Sequence, residues 1–290
     1  MRKIRVGTRD SRLAMVQTEL VLRTLGAERP DLKFELVAMK TTGDRILDRP
    51  LEAVGGKGLF VKELDQALLD GRVDICVHSY KDLPVPSHPD LPVLKVARRE
   101  DARDVLILPE GQLNIEQVMP LGTSSLRRRH QLAELYPEWR SEPVRGNVQT
   151  RLRKLDSGEF GGLVLAAAGI IRLGLWDRVS RVFEPDEMLP SACQGILAIQ
   201  GRKEGDYSWL DGFGCRDAMD ASVAERAFVH GLGASCTSPV AAYATIEGMN
   251  LHLAGMYVDE SGRIVRGTAS GNRTDAESLG LGLADSIRKG

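Results

Sequence analysis

Residues 62–84, KELDQALLDGRVDICVHSYKDLP, decide the fold. Apolar residues recur at helical spacing with charges between them, Gly71 interrupts that pattern, and VDICVH is a short buried strand that runs into a polar turn before Pro84. The helix is expected over 58–71, starting in GLFVKEL, and the strand over 73–78. Toward the N-terminus, KIRVGT (3–8) reads as a strand, SRLAMVQTELVLRTLG (11–26) as a helix capped by Ser11 and ended by Gly26, and KFELVAM (33–39) as another strand. Strands alternating with helices predict an α/β fold with a largely parallel sheet.

The layout recurs. QTRLRKLDSGEFGGLVLAAAGIIRLG (149–174) repeats the order of basic amphipathic helix, Leu-Asp-(Ser)-Gly stop, buried strand and polar turn, with GLVLAAAG as its strand. DVLILP near 104 is a strand, and SSLRRRHQLAELYP and NVQTRLRKLDSG are helices. We read an internal duplication, giving two similar α/β lobes with a cleft between them. LPSACQGILAIQGR (189–202) ends in an apolar strand that crosses back to the first lobe. After the helix CRDAMDASVAERAFVHGL the pattern changes to three hairpin strands, SPVAAYATI, LHLAGMYV and RIVRGTA, with Ser261-Gly262 at a turn and a last helix from about 274. This part reads as a small α+β unit.

The totals exclude several classes. A net charge of −1 and an ordinary apolar content give no overall pull toward nucleic acid or an anionic membrane, so any anion site must be local. The longest apolar run, LVLAAAGII at 163–171, is too short to span a bilayer. Arg5, Arg9, Asp10 and Arg12 break the place where a signal peptide needs an apolar stretch, so export is not expected. Cysteines 76, 193, 215 and 236 form no CxxC pair and the five histidines no ligand pattern; reduced thiols in a cytoplasm and no metal are the expectation.

Arginines sit beside Gly, Ser or Thr at element edges: Arg9 in GTRDS, Arg127, Arg128 and Arg129 in GTSSLRRR, Arg145 and Arg151 in RGNVQTR, and Arg172 in GIIRLG. Guanidinium forks next to helix starts suit carboxylates or phosphates, although any single one can be a solvated surface charge. SLRRRHQL has no interleaved aromatics, which argues against nucleic acid. VGGKGLF lacks the Ser or Thr that a phosphate-binding Walker loop needs after its lysine, so Lys57 is either a turn lysine or a lone cation for an anion. In HSYKDLP, Asp82 is open to two readings, an Asx-type turn or a carboxylate that acts as a general acid or steadies a cation. His78 reads as a strand-end hydrogen-bonding residue. Cys76 lies in an apolar run and reads as packing. Cys236, in GLGASCTSPV (231–240), is surrounded by small residues before Pro239 and reads as an accessible loop thiol.

GTRDSRLAMVQ, VGGKGLFVKEL, HSYKDLP, GTSSLRRR, RGNVQTRLRKLD, LPSACQG and the late cysteine loop occur together in this order over nearly the whole chain. In this combination the sequence resembles the porphobilinogen deaminase (hydroxymethylbilane synthase) family. The resemblance implies two lobes similar to type II periplasmic binding proteins, residues 1–98 with 195–214 and residues 99–194, and an α+β third domain at 215–290. It also implies a dipyrromethane cofactor joined through a thioether to Cys236, onto which four porphobilinogen molecules condense with loss of ammonia before hydroxymethylbilane is released. By the family's motifs Asp82 is catalytic. Lys81, Asp82, Thr123, Ser124, Arg127, Arg128, Arg145 and Gly146 would hold the cofactor, and Arg9, Ser11, Lys57, Arg145, Arg151 and Arg172 the substrate's acetate and propionate groups.

The resemblance further implies a cytoplasmic monomer with no nucleic acid or membrane partner. Ala53 departs from a lysine carried by some family members, Cys193 is expected to be a packed core thiol, and a C-terminal extension used elsewhere in the family is expected to be absent. The rival reading is a non-catalytic two-lobed anion-binding protein, which explains the arginines but not Cys236 or the third domain.

Overall fold

The computed structural model describes residues 2–45, 58, 61–112, 114, 115, 118–235 and 238–289. Lys57, Ala53 and Cys236 lie outside the described residues. The first lobe begins with β1 (Arg2–Arg9), α1 (Arg12–Glu28) and β2 (Leu32–Met39), the strands paired in parallel over their whole length. A short α2 (Thr42–Arg45), α3 (Lys62–Leu69), β3 (Ile75–Ser79) and β4 (Val93–Val96) follow. The second lobe contains β5 (Asp104–Ile107), β6 (Leu121–Gly122), α4 (Leu126–Leu135), β7 (Ser141–Glu142), α5 (Val148–Asp156), β8 (Gly162–Ala166), α6 (Ala167–Arg172) and β9 (Arg181–Phe183). The chain then crosses back as β10 (Leu197–Gly201).

The two five-stranded sheets have orders β2-β1-β3-β10-β4 and β7-β6-β8-β5-β9. Position by position they agree: three parallel strands, then an antiparallel strand brought in from elsewhere in the chain, then an antiparallel edge. The duplication read from residues 62–84 and 149–174 is therefore a duplication of whole sheets, the two-lobed architecture expected of a type II periplasmic-binding-protein-like fold. β3 and β8 occupy equivalent places and are buried along their first four residues, which is why neither shows polar alternation.

Several boundaries differ from expectation. Gly26 does not end α1; the helix continues to Glu28, and Arg29 N donates to Leu25 O at 2.8 Å. A Cβ there would meet nothing, so Gly26 is simply a half-buried helical glycine. The strand in GLVLAAAG stops at Ala166 and the rest of that apolar run turns into α6, a distinction that continuous hydrophobicity cannot make. The last helix starts at Ala276, after a 3₁₀ turn whose Asn272 side chain accepts from Thr274 N at 3.0 Å. The two- to four-residue strands β4, β6, β7 and β9 are too short for periodicity to register.

The third unit is α7 (Arg216–Gly231), an antiparallel meander of β11 (Val240–Glu247), β12 (Asn250–Val258) and β13 (Ile264–Asn272), and α8 (Ala276–Lys289). Ala224 and Phe228 of α7 pack with Leu251 and Leu253 of β12 and with Leu283 of α8. Among the described residues no helix is long and apolar enough to cross a membrane.

A buried carboxylate joins this unit to the lobes. Glu225 Oε1 accepts from Arg99 Nη2 and from Ala244 N, each at 2.7 Å, and its Oε2 from Cys193 N at 2.6 Å. Arg99 and Cys193 lie beside the two crossings between lobes. Cys193 is buried, as expected, and left-handed at φ 61, a conformation held by its bond to Glu225. Glu225→Ala would leave the Arg99 guanidinium buried and unpaired; a loss of about 3–5 kcal/mol is expected, read as a clearly lowered thermal unfolding midpoint. A midpoint equal to that of the parent would show that this junction bears no load.

Candidate functional site

β1 and β3 are parallel neighbours, so their carboxyl ends open on one edge of the first sheet, where open α/β sheets bind ligands. Arg9 is the last residue of β1, and the 3₁₀ turn Tyr80–Asp82 carries Asp82 out from β3. Arg9, Gln17, His78, Ser79 and Asp82, with Ala14, Val61 and Val77, line one cavity. Ser11 Oγ caps α1 by accepting from Ala14 N at 3.3 Å, and Thr8 Oγ1 donates to Ala14 O at 3.3 Å. Ser79 Oγ donates to Gln17 Oε1 at 3.1 Å. Burial pushes the His78 imidazole down to about 4, with the Arg9 charge acting in the same direction, so this ring is neutral near pH 7.

The second lobe contributes a buried ion cluster. Asp104, at the start of β5, has no solvent exposure. It accepts from Arg127 Nη2 and Arg128 Nη2, each at 2.7 Å, and from Gln194 Nε2 at 2.8 Å. Burial alone would raise this carboxyl, but the two guanidiniums overrule it and hold it below the usual carboxylate range. Arg127 spends its other arm on Leu189 O at 2.7 Å, and Arg128 on Val164 O at 2.9 Å. Both guanidiniums are therefore engaged internally through their Nη groups, and the buried Nε of Arg128 has no hydrogen-bond partner among the described residues.

Gln194, on the return crossing, joins the two halves. While its amide nitrogen reaches Asp104, its Oε1 accepts from Lys81 Nζ at 3.0 Å. Desolvation lowers the Lys81 ammonium to about 8, helped by the charges of Arg128 and Arg127 and opposed by Asp82 and Asp104. Arg151 is lowered to about 10, first by burial and then by Arg128 and Arg145, with Asp82 again opposing. Lys81, Arg127, Arg128 and Arg151 thus share one region with the carboxylates Asp82 and Asp104, and Arg145 lies close enough to act on Arg151.

Local backbone geometry places these groups. Ser125 caps α4 by accepting from Arg128 N at 3.4 Å, Thr123 Oγ1 accepts from Ser125 N at 3.3 Å, and Ser124 Oγ donates to Val144 O at 2.7 Å. The hydroxyls of Thr123 and Ser124 therefore shape the turn before α4. Gly146, at φ +108, has no room for a side chain, since a Cβ would lie 2.7 Å from Thr150 Cγ2. Its carbonyl accepts from Arg151 Nε at 2.8 Å and so aims that guanidinium. Arg172 does not join the cluster; its Nη2 donates to Gly195 O at 2.5 Å, its charge neighbour is Glu100, and burial lowers it to about 10.

Gln17 was not legible as a site residue, although a fully buried polar side chain in the apolar stripe of α1 is the signal that could have found it. His78, near the end of β3, borders the same cavity as Asp82. Cys76 is buried with Sγ 3.8 Å from Leu64 O, as its apolar run implied. Ser235 and Ser238, which flank the undescribed Cys236 and Thr237, bond to one another, Ser238 N donating to Ser235 O and Ser235 N to Ser238 Oγ, both at 3.0 Å.

The arrangement is suited to a ligand that brings several carboxylates. Desolvated cations in excess and an open guanidinium N–H call for anionic acceptors, and Asp82 lines the cavity at the edge of the first sheet.

Comparison with known proteins agrees with this chemistry. The family model described as "Porphobilinogen deaminase, dipyromethane cofactor binding domain" matches residues 4–208, and "Porphobilinogen deaminase, C-terminal domain" matches residues 219–289. The chain is 52% identical over 288 residues to the porphobilinogen deaminase of Acetivibrio thermocellus, covering 99% of each protein. It is 50% identical over 289 residues to that of Ruminiclostridium josui, covering 99% of this chain and 98% of the relative. Among solved structures, the periplasmic aliphatic sulphonate binding protein SsuA of Escherichia coli aligns with a TM-score of 0.42 at 13% identity, over 79% of this chain and 70% of that one.

Proposed function

Because the chain belongs to the porphobilinogen deaminase family, we propose that it joins four porphobilinogen molecules head to tail on a dipyrromethane primer and releases hydroxymethylbilane. One observation carries the reading: four cationic side chains, Lys81, Arg127, Arg128 and Arg151, gather around the two carboxylates Asp82 and Asp104, an excess of positive charge that suits a chain of acidic pyrroles. Dipyrromethane, joined through the Cys236 sulfur, supplies the pyrrole carbon to which the first substrate ring is added. Lys81, Arg128, Arg145 and Arg151 bind the acetate and propionate groups of the primer. Arg127 acts behind them by fixing Asp104, and Thr123, Ser124 and Gly146 shape the turns that present Arg128 and Arg151. Arg9 and Ser11, with Gln17, receive the carboxylates of the incoming ring; Lys57 adds a cation to them, and Arg172 holds the crossing at Gly195.

Asp82 is the catalytic residue of this reading. Its carboxylate accepts from pyrrole N–H groups and counters the positive charge that appears on the ring as ammonia leaves. The family model's cofactor and the chemistry of the cluster favour this over a non-catalytic anion-binding protein. The enzyme works as a monomer in the cytoplasm.

Asp82→Asn keeps the shape and the hydrogen-bond acceptor but removes the charge. It is expected to retain the covalent primer while turnover falls by about 10²–10⁴-fold, measured as porphobilinogen consumption by primer-loaded enzyme; near-normal turnover would remove Asp82 from its role. Lys81 gives the pH dependence. Its lowered value of about 8 means that the free site loses one positive charge as pH rises through that point. Primer carboxylates bind the ammonium form, so uptake of primer by the primer-free protein is expected to be full well below pH 8 and to weaken through and above it in the parent but not in Lys81→Arg. An identical pH profile of primer uptake in the two proteins would exclude Lys81 as the titrating group.

A further inference from the structure

Resting on the activity proposed above, we infer that Arg226 is a positioning residue for this reaction: from α7 it clamps the backbone next to Asp82 and so fixes where that carboxylate stands.

The guanidinium of Arg226 is spent on the segment that presents Asp82. Nη1 donates to Leu83 O at 3.3 Å, and Nη2 donates to Pro84 O at 2.6 Å and to Ser87 Oγ at 2.8 Å. Its Cζ lies over the Tyr80 ring, 4.8 Å from the centroid. Tyr80 and Leu83, the buried residues on either side of the Lys81-Asp82 pair, are thus both held by one side chain. Among the described residues Arg226 makes no ion pair with a carboxylate. Its partners are main-chain carbonyls, a hydroxyl and an aromatic face, which together fix a backbone.

The clamp is anchored on a rigid element at the other end. α7 is packed through Ala221, Ala224 and Phe228 into the core of the third unit, and Val85, between the clamped Pro84 and Ser87, packs against the same core. Five residues after Arg226 the helix ends at Gly231, and the chain passes through Ser235 to Cys236. The same helix therefore holds the Asp82 turn and leads into the primer's attachment loop. Arg226 does not line the cavity of Arg9 and Asp82, so its effect on the reaction passes through the turn. Displacing a catalytic group by about 1 Å can cost on the order of 10²-fold in rate without removing any ligand contact.

The test compares primer-loaded Arg226→Ala and Arg226→Lys with the parent. Intact mass measures the primer, thermal unfolding measures folding, and steady-state kinetics separate kcat from KM. Arg226→Ala is expected to keep the primer and a KM for porphobilinogen within about threefold, while kcat falls on the order of 10²-fold. Millimolar guanidinium ion, which can occupy the vacated space, is expected to restore part of kcat in Arg226→Ala and none in the parent. Arg226→Lys, which provides one point donor in place of the fork and the stacked plane, should recover only a small part. A kcat within about twofold of the parent in Arg226→Ala, or a loss that follows the unfolded fraction and does not respond to guanidinium, would overturn the proposal. If Arg226→Ala fails to fold, Arg226→Lys decides: unchanged kcat with retained primer overturns the inference, and reduced kcat at unchanged KM upholds it. A parent protein that carries no primer and does not consume porphobilinogen would sink the activity itself, a result distinct from any effect of Arg226.

Discussion

Asp104 has no contact with solvent, yet it is ionised, held between the guanidiniums of Arg127 and Arg128 and the amide of Gln194. Removing one member of such a buried set costs about 3–5 kcal/mol because the remaining charges stay in a medium that solvates them poorly. The balance is also incomplete by design: one carboxylate faces two guanidiniums, and through Gln194 it reaches the Lys81 ammonium on the other lobe. The first-lobe turn that presents Asp82 is thereby fastened to the second-lobe helix that presents Arg128. The positive charge left over is the physical basis for attracting a polycarboxylate, and the ligand's own carboxylates are the counter-ions that complete the set.

The third unit acts on this arrangement through two adjacent residues of one helix. Successive helical side chains point about 100° apart, so Glu225 and Arg226 can address different parts of the lobes. Glu225 takes Arg99 and the Cys193 amide beside the two interlobe crossings, and Arg226 takes the Leu83 and Pro84 carbonyls after Asp82. One helix thereby bears both on where the lobes are joined and on where Asp82 stands, and its sequence leads on to Cys236.

What could be read from the sequence divides along physical lines. The alternation in residues 3–78 and the apolar strands at 75–79 and 162–166 gave the α/β lobes because burial writes itself into long apolar runs. The equivalence of the two sheets could not be seen in full, since β6 and β7 are two residues each and their places depend on β6 pairing with β8 and β7 with β6. In the site, the Gly/Ser/Thr plus Arg pattern marks Arg9, Arg127, Arg128, Arg151 and Arg172 alike. It says nothing of their acceptors, which lie far along the chain for Arg127 and Arg128, both bonded to Asp104, and for Arg172, bonded to the Gly195 carbonyl. Gln17, Gln194 and Arg226 escaped for the same reason: each works through partners more than 60 residues away.

The measurement that bears most directly on this account is the intact mass of the denatured protein set against the mass of its sequence, followed by peptide mapping of any excess. A cleft built to hold an acidic primer tethered to the third unit predicts an added mass of two pyrrole units on the peptide containing Cys236. A protein without added mass, even after incubation with porphobilinogen, would contradict the account and leave the surplus cations serving an anion that is bound but not built upon.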